Sequence, residues 1–216
     1  MKIYKKAVLA VSIFAMAAGA AMTSAGAQET YLPPVMVQGT VSEKTETRVT
    51  VDNQNPGAYS GAFVLHVTEE TRLLDAADGM PVSIEDLQTG DAVYAYAGPA
   101  VMASIPPQAA ASVILTNIPE DGTAPHYIQV ASMAQRSGGR QINASDGSSY
   151  WVSDTCTVFP YLTRNMLYPQ SIFEGAWCLV WPDAQGNAQK IMMFPPYGPE
   201  QDETVQSQGG WKLERV

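Results

Sequence analysis

The two histidines of this chain are the first residues to consider for catalysis or metal binding, and their positions favour neither. His66 and His126 are far apart, and neither has a second histidine, cysteine or acid at the spacing of a metal-ligand pair. His66 alternates with Leu65 and Val67, which predicts a partly exposed histidine on a strand. His126 is interpreted as a linker residue. The sequence therefore predicts no catalytic residue, no metal site and no cofactor.

The two cysteines, Cys156 and Cys178, are the remaining side chains with reactive chemistry of their own. Their alternation with Val152 and Val180 places them on the apolar side of predicted strands, so both thiols are expected to be buried. Two interpretations stay open. An exported chain with two cysteines favours a Cys156–Cys178 disulfide, whereas two free cysteines would pack as small hydrophobic side chains.

Residues 97–109 (AGPAVMASIPPQA) form the first candidate binding surface. The segment is rich in proline and apolar residues, which makes it stiff and suits contact with a protein. It is about seven residues longer than its counterpart in the second half of the chain. The alternative is that it packs between the two halves. The candidate contact residues are Pro99, Met102, Ile105 and Pro106.

The second candidate binding surface is aromatic. Alternation along the predicted strands places large aromatic side chains on the outside of the fold. There they can stack on sugars or bases, or they can be buried against the other half of the chain, which is the more common fate of large aromatics. The candidates are Tyr94, Tyr96, Trp151, Trp177 and Trp181.

An internal repeat determines which elements must position these residues. Shifting the sequence by 85 positions places residues 67–96 on residues 152–181, with Leu87 over Ile172 and Gly90 over Gly175. Such a repeat predicts two copies of one small module. The expected modules are residues 33–122 and 123–197, followed by a flexible acidic and polar tail at 198–216.

Each module is predicted to be mainly β. In the first copy, residues 35–41, 47–51, 62–75, 92–96 and 112–117 have the composition of strands. Ser83 and Asp86 form a capping-box-like pair and Gly90 provides an end, which predicts a short helix between the third and fourth strands. This order resembles an OB-fold-like five-stranded barrel. The predicted fold is therefore two tandem barrels of this kind, with a β-sandwich as the alternative.

The first 27 residues have the pattern of a signal peptide. Lys2, Lys5 and Lys6 precede an apolar run at 7–22, and small residues at 25–27 form a cleavage site. We expect a secreted, periplasmic or cell-envelope protein that is not inserted in a membrane after cleavage.

The charge of the chain excludes some classes of partner. The formal net charge is −9, and it becomes −12 once the three lysines of the signal peptide are removed. Nucleic acids and anionic membrane surfaces bind clustered Lys and Arg, and the nine that remain are scattered. We therefore expect neither as a partner.

Two stretches resemble a known group of proteins. The first is VTEETRLLDAADGMPVSIEDLQTGDAVYAYAGPAVMASIPPQ with the following VILTNIP, and the second is YLTRN with GAWCLVWPD. They resemble secreted proteins of clostridia and their relatives, some of which carry a copper-amine-oxidase-like N-terminal domain. The resemblance implies no activity, because that group has no function to transfer, and no amine oxidase chemistry is expected.

Three classes of function are compatible with these observations. The first is an exported, non-catalytic binding or scaffold protein of the cell envelope that contacts a protein, a peptide or a glycan, and the poor catalytic inventory favours it. The second is a hydrolase with a site between the modules, and the third is a structural remnant of a larger surface protein. A polar pocket with converging titratable groups would favour the hydrolase, and an exposed apolar loop would favour the binding protein.

Overall fold

Alternating apolar and polar residues produce strands, and the strands form two six-stranded sheets. The computed structural model describes residues 32–56, 59–120, 122–163 and 166–195. The predicted signal peptide and the predicted tail lie outside these ranges. Within them, no helix combines the length and the apolar composition needed to cross a membrane. The prediction of a mainly β protein is confirmed.

The first sheet contains a closed barrel. Its strands are β1 (Val35–Lys44), β2 (Arg48–Asn53), β3 (Gly61–His66), β4 (Arg72–Asp75), β5 (Ala92–Ala97) and β6 (Gln108–Thr116). The order is β3-β2-β1-β5-β6-β4, and β3 also pairs in parallel with β6 through Val64 and Gln108. This last pairing closes five strands into a barrel, with β4 attached outside the closure.

The second sheet has the same strand order without the same closure. Its strands are β7 (His126–Arg136), β8 (Gly139–Ala144), β9 (Ser149–Ser153), β10 (Thr157–Pro160), β11 (Trp177–Pro182) and β12 (Ala188–Met193). The order is β10-β12-β11-β7-β8-β9. An isolated parallel bridge between Trp151 and Asn187 links β9 to the residue before β12. The prediction of two barrels is therefore correct for the first copy only.

The predicted third strand, residues 62–75, is two strands. A turn separates β3 from β4, because the Thr71 N–H donates to the Thr68 carbonyl at 3.0 Å and the Thr71 hydroxyl accepts from the Thr68 N–H at 2.9 Å. After the turn the chain leaves β2 and pairs in parallel with β6, from Arg72 with Val113 to Asp75 with Thr116. Each sheet therefore has six strands where five were predicted.

The predicted short helix over residues 83–90 is a turn. The Asp86 N–H donates to the Ser83 carbonyl at 3.2 Å, and the Ser83 hydroxyl contacts the Glu85 carboxylate instead of capping a helix. The corresponding segment of the second copy contains a single 3₁₀ turn, Pro169–Ser171. A segment this short makes too few i to i+4 hydrogen bonds to offset the cost of starting a helix.

The two copies nevertheless use equivalent hydrogen bonds at this place. The Gly90 N–H donates to the Val41 carbonyl at 2.8 Å, and the Gly175 N–H donates to the Val130 carbonyl at 2.7 Å. Both glycines have positive φ, +97° and +91°. Gly90 and Gly175 therefore occupy equivalent positions, as the repeat predicts. Leu87 and Ile172 lie beneath the two turns, and the prediction that both are buried is confirmed.

Three groups of buried side chains hold the described chain together. The inward faces of each sheet form one core each. A third cluster contains residues of both sheets, including Tyr96 and Leu115 from the first and Tyr127 and Leu179 from the second. The outer faces of β5 and β11 are thus buried against each other's sheet.

Candidate functional site

An exposed loop between β5 and β6, residues 98–107, is the most prominent feature of the first barrel. Short hydrogen bonds hold it in shape. The Met102 N–H donates to the Gln108 carbonyl at 2.7 Å, and the Ser104 hydroxyl donates to the Pro106 carbonyl at 2.6 Å. The corresponding connection in the second sheet, residues 183–187, is shorter. The loop is thus an addition in one copy with a fixed geometry of its own.

Two apolar side chains of the loop project into solvent. Ile105 is 102% exposed and Met102 is 52% exposed. Pro99 is also exposed, whereas Pro106 is half-buried at the side of the barrel. The alternative that the loop fills space between the two halves therefore does not hold for Met102 and Ile105.

A groove of about 200 Å³ lies beside the loop. It is bounded by the turn between β1 and β2, by the outer faces of β2 and β3, and by the loop itself. Thr50 and Val64 are register partners on adjacent strands, so their side chains lie next to each other on the groove floor. The lining residues are Glu43, Lys44, Thr45, Arg48, Thr50, Val64 and Pro106.

The charged groups of the groove differ in how firmly they are held. Lys44 donates from Nζ to the carbonyls of Ile84 at 2.8 Å and Glu85 at 2.9 Å, so its ammonium is already held by two acceptors. Arg48 is exposed, and within the described ranges no side chain or carbonyl pairs with its guanidinium. Arg48 is therefore the cation that a ligand in this groove can reach.

His66 extends the same outer face. It is half-buried, and its Nε2 lies 2.9 Å from the Gln108 Oε1 on β6. Arg48 is its register partner on β2. The prediction of a partly exposed strand histidine is confirmed. The His66–Gln108 contact spans the parallel pair that closes the barrel, next to the loop.

The predicted aromatic surface is mostly contained in the contact between the sheets. Tyr96 is buried, and burial raises the pKa of its hydroxyl. Trp177 stacks on Tyr127, with ring centroids 4.7 Å apart and planes inclined by 15°. Trp181 donates from Nε1 to the Ala76 carbonyl of the first sheet at 2.7 Å. These rings stabilise the inter-sheet contact, so they do not form an open platform.

The other two aromatic candidates lie at separate places. Tyr94 packs at the edge of the inter-sheet cluster, where its hydroxyl accepts from Gln38 Nε2 at 2.6 Å and donates to the Gly122 carbonyl at 3.2 Å. Trp151 is half-buried on β9. Its ring lies so close to Gly139 that a Cβ at that position would meet it at 2.9 Å. The structure does not bring Trp151 together with the groove or the loop.

His126 is the first residue of β7, so its interpretation as a linker residue is wrong. Its Nδ1 lies 2.6 Å from the hydroxyl of Tyr150. Burial lowers the pKa of His126 and raises that of Tyr150. The pair is therefore neutral near pH 7, and it is held in the second sheet by its mutual hydrogen bond.

Both cysteines are free and buried, which confirms their predicted burial. Cys178 lies on β11 as predicted, but Cys156 lies in the turn before β10 and not on the third strand. The Cys156 Sγ contacts the Ala188 carbonyl at 3.3 Å. Of the two open interpretations, the structure has the free thiols.

Neither a search for clustered metal-binding side chains nor comparison with known proteins identifies a further site. In the described ranges, no group of three or more His, Cys, Asp and Glu residues is close enough together to hold a metal ion. No protein-family model and no curated protein matches this sequence.

Reading the sequence identified the loop but not the groove beside it. The sequence gives only a weak indication of the groove residues. Alternation within the predicted strands places Arg48, Thr50 and Val64 on the outer face, but it does not show that they lie near the loop. Their proximity to Pro106 depends on the β3–β6 pairing, which joins residues over 40 positions apart. No local pattern encodes that pairing.

Proposed function

We propose that this chain is an exported, non-catalytic binding protein that holds an extended peptide segment of a partner against its first barrel. The observation that carries the proposal is the pair of exposed apolar side chains, Met102 and Ile105, on an anchored loop beside a polar groove. Single apolar side chains are common on protein surfaces, but exposed ones that are grouped beside a groove with a polar rim are typical of interaction sites.

The chemistry of the groove favours a peptide. Thr50 offers a hydroxyl and Arg48 an accessible guanidinium, which suit carbonyls and carboxylates, while Val64 and Pro106 offer apolar contact. Because the loop is already ordered by its own hydrogen bonds, a ligand gains its contacts at a low entropy cost.

Sugars and bases fit the same surface poorly. Both are usually recognised through stacking on aromatic rings. The part of the chain that the structure describes places no aromatic side chain in the lining of this groove, and four of the aromatic candidates pack in or at the edge of the inter-sheet cluster. The acidic net charge of −9 further disfavours nucleic acid.

The strand order of the first barrel supports the same surface. We propose that both sheets are variants of an OB-fold-like module, the second left open between β9 and β12. In OB folds, ligands contact the face of the second and third strands and the loops that follow the first and fourth strands. The groove, the β1–β2 turn and the 98–107 loop occupy those places. Export to the envelope or the medium rests on the signal-peptide pattern of residues 1–27.

A peptide selection tests the proposal. Random peptides displayed on phage are selected on the immobilised mature chain, and the enriched sequences are synthesised and titrated by fluorescence polarisation. We expect Met102→Ser with Ile105→Ser to weaken binding at least about ten-fold, because two apolar anchors are lost. The midpoint of thermal unfolding should change by no more than about 2 °C, since both side chains are exposed.

Two further variants make the result specific. Met166→Ser removes an equally exposed methionine outside the groove and should leave affinity unchanged. Arg48→Ala should lower the affinity for acidic peptides by about two- to five-fold. Enriched peptides that bind the double variant as tightly as the wild type would contradict the proposal. A large loss of stability in the double variant would show instead that the loop is structural.

A further inference from the structure

A second cavity, of about 380 Å³, lies where the two sheets meet. Its walls come from the turn after β4 and from the end of β10, which are equivalent segments of the two copies, and Met192 of β12 contributes to its lining. In both copies the turn returns along its strand, as the Val82 N–H donates to the Leu73 carbonyl and the Leu167 N–H to the Val158 carbonyl. The volume falls in the range of small-molecule sites.

The turn after β4, which forms one wall of this cavity, is firmly held. Trp181 donates from Nε1 to the Ala76 carbonyl, and Lys190 donates from Nζ to the Ala77 carbonyl, both at 2.7 Å. Gly79 packs so tightly on Met192 that a Cβ would overlap it. These contacts join the first-sheet turn to the second sheet, so the cavity is formed before any ligand enters.

The rim of the cavity carries exposed apolar side chains. Met80 is 62% exposed and Leu162 is 69% exposed. Leu162 also has a φ of +60°, which is unfavourable for a branched side chain with no packing to compensate. Strain at an exposed leucine on the rim of a preformed cavity indicates a residue placed to contact a ligand.

The polar groups of the site indicate the charge of that ligand. The Asp78 carboxylate lies at the mouth, where Oδ1 accepts the Met80 N–H at 2.8 Å and Oδ2 is not used by any residue in the described ranges. The ammonium of Lys190 donates to the Ala77 carbonyl and lies 4.2 Å from the centre of the Trp181 ring, and it attracts Asp78 without forming a direct ion pair with it in the described ranges. Asp78 Oδ2 therefore remains open to a ligand at the mouth of the cavity.

We propose that this cavity binds a small organic cation with an apolar body. The body lies among Met80, Phe159 and Met192, and the ammonium group faces Asp78. The aromatic ring of Phe159 adds a favourable surface for a cation. This site is separate from the peptide groove and does not depend on the proposed function.

Methyl NMR of the full chain tests the proposal, with 2-phenylethylamine as the probe. The protein contains ten methionines, which are labelled with ¹³C at the methyl group. We expect the resonances of Met80 and Met192 to shift on addition of the amine, while those of Met36 and Met102 stay in place. Phenylacetate, which has a similar body and the opposite charge, should cause much smaller shifts. No shift at 10 mM amine, equal shifts with phenylacetate, or shifts spread over all exposed methionines would overturn the proposal.

Variants separate the charge from the apolar contact. Asp78→Asn should lower the affinity for the amine by about two- to five-fold, because the substitution removes the charge of the side chain and keeps its size. Leu162→Ser should lower the same affinity by about ten-fold, because an apolar contact is lost. Asp86→Asn, which changes an exposed carboxylate in the turn between β4 and β5, should have no effect, and Met102→Ser with Ile105→Ser should have none either. An unchanged affinity in both Asp78→Asn and Leu162→Ser would overturn the assignment to this cavity.

Discussion

Burial controls the chemistry of individual side chains in this protein. Cys178 is fully buried, and this raises the pKa of its thiol from 9 to about 12. Burial raises the pKa of Cys156 as well. Because the thiolate is the reactive form of cysteine, both residues are inert at neutral pH and serve as core residues.

Comparing Cys178→Ala with the wild type should reveal the raised pKa of the Cys178 thiol in the pH dependence of stability. At pH 7 the variant should be about 1–2 kcal/mol less stable, since a small cavity replaces the sulfur. Above pH 9 the unfolded wild type loses the thiol proton while the folded state keeps it, so the wild type is destabilised by about 1.4 kcal/mol per pH unit up to pH 12. The variant lacks this contribution, so the gap between the two should narrow.

Urea unfolding of both proteins at pH 7, 9, 10 and 10.5 measures that gap. The other ionisable groups are the same in both proteins, so their contributions cancel in the comparison. A gap that stays constant over this range would contradict the burial of an ionisable thiol at position 178.

Single-residue burial was the most predictable level of this structure. Leu87, Ile172 and Cys178 follow alternation or turn position, which are local properties of the chain. Arg48 and Val64 were not predicted as neighbours of the loop, because that proximity is created by a parallel strand pair distant in sequence. Alternation indicates the face on which a side chain lies, but not what lies across from it.

At the scale of elements, glycines with positive φ fix two turns of the first copy. Gly79 (φ +80°) and Gly90 (φ +97°) both adopt a backbone conformation that favours glycine. Their surroundings differ. A Cβ at Gly90 would meet nothing within 4 Å, whereas at Gly79 it would overlap Met192 and reach Trp181 at 3.0 Å. An alanine at Gly90 would therefore report the cost of the backbone conformation alone, and an alanine at Gly79 would add the cost of overpacking.

We expect Gly90→Ala to cost about 1–2 kcal/mol, from the positive φ alone. Gly79→Ala should cost about 1 kcal/mol more, because the terminal methyl group of Met192 must move and the new Cβ lies 3.0 Å from the Trp181 ring. Chemical denaturation of both variants measures the difference. Equal losses at the two positions would show that the Gly79 turn is not packed on the second sheet.

The bounds of strands and helices were harder to predict than the burial of single residues. The errors lie where the chain changes direction without a glycine or a proline. Residues 62–75 were assigned to one strand because they are rich in apolar and β-branched residues, and the β-branched Val67, Thr68 and Thr71 continue across the break. The structure ends β3 at His66 and starts β4 at Arg72, with a turn made by Thr68 and Thr71. Hydroxyl-assisted turns are a weak signal in sequence. The apparent capping box at Ser83 failed for a different reason, since a cap cannot stabilise a helix too short to propagate.

At the scale of the whole molecule, the repeat places equivalent aromatic strands where they cover one another. Tyr96 of β5 packs edge-on to Tyr127 of β7, with ring centroids 5.7 Å apart, and Trp177 of β11 stacks on Tyr127. A sequence that repeats predicts two modules, but it does not indicate which faces meet. This contact accounts for the burial of Tyr96 and for the packing of Trp177 and Trp181 against the shared cluster.

The same contact predicts that the two sheets unfold together. Their shared cluster includes Leu115 and Tyr96 from the first sheet and Leu179 and Met192 from the second, all buried. Loss of this contact would expose apolar surface on both sheets, so neither should remain folded alone near the transition. Scanning calorimetry should therefore give one transition, with a calorimetric enthalpy equal to the van't Hoff enthalpy.

Trp181→Phe tests whether the contact transmits stability between the sheets. The substitution keeps the apolar ring and removes the Nε1 hydrogen bond to the Ala76 carbonyl, which should cost about 1–3 kcal/mol. Amide hydrogen exchange should then accelerate by similar factors for the slowest-exchanging strands of both sheets, because they exchange through the same global opening. Faster exchange in the second sheet alone, or two calorimetric transitions, would show that the sheets are independent domains that only touch.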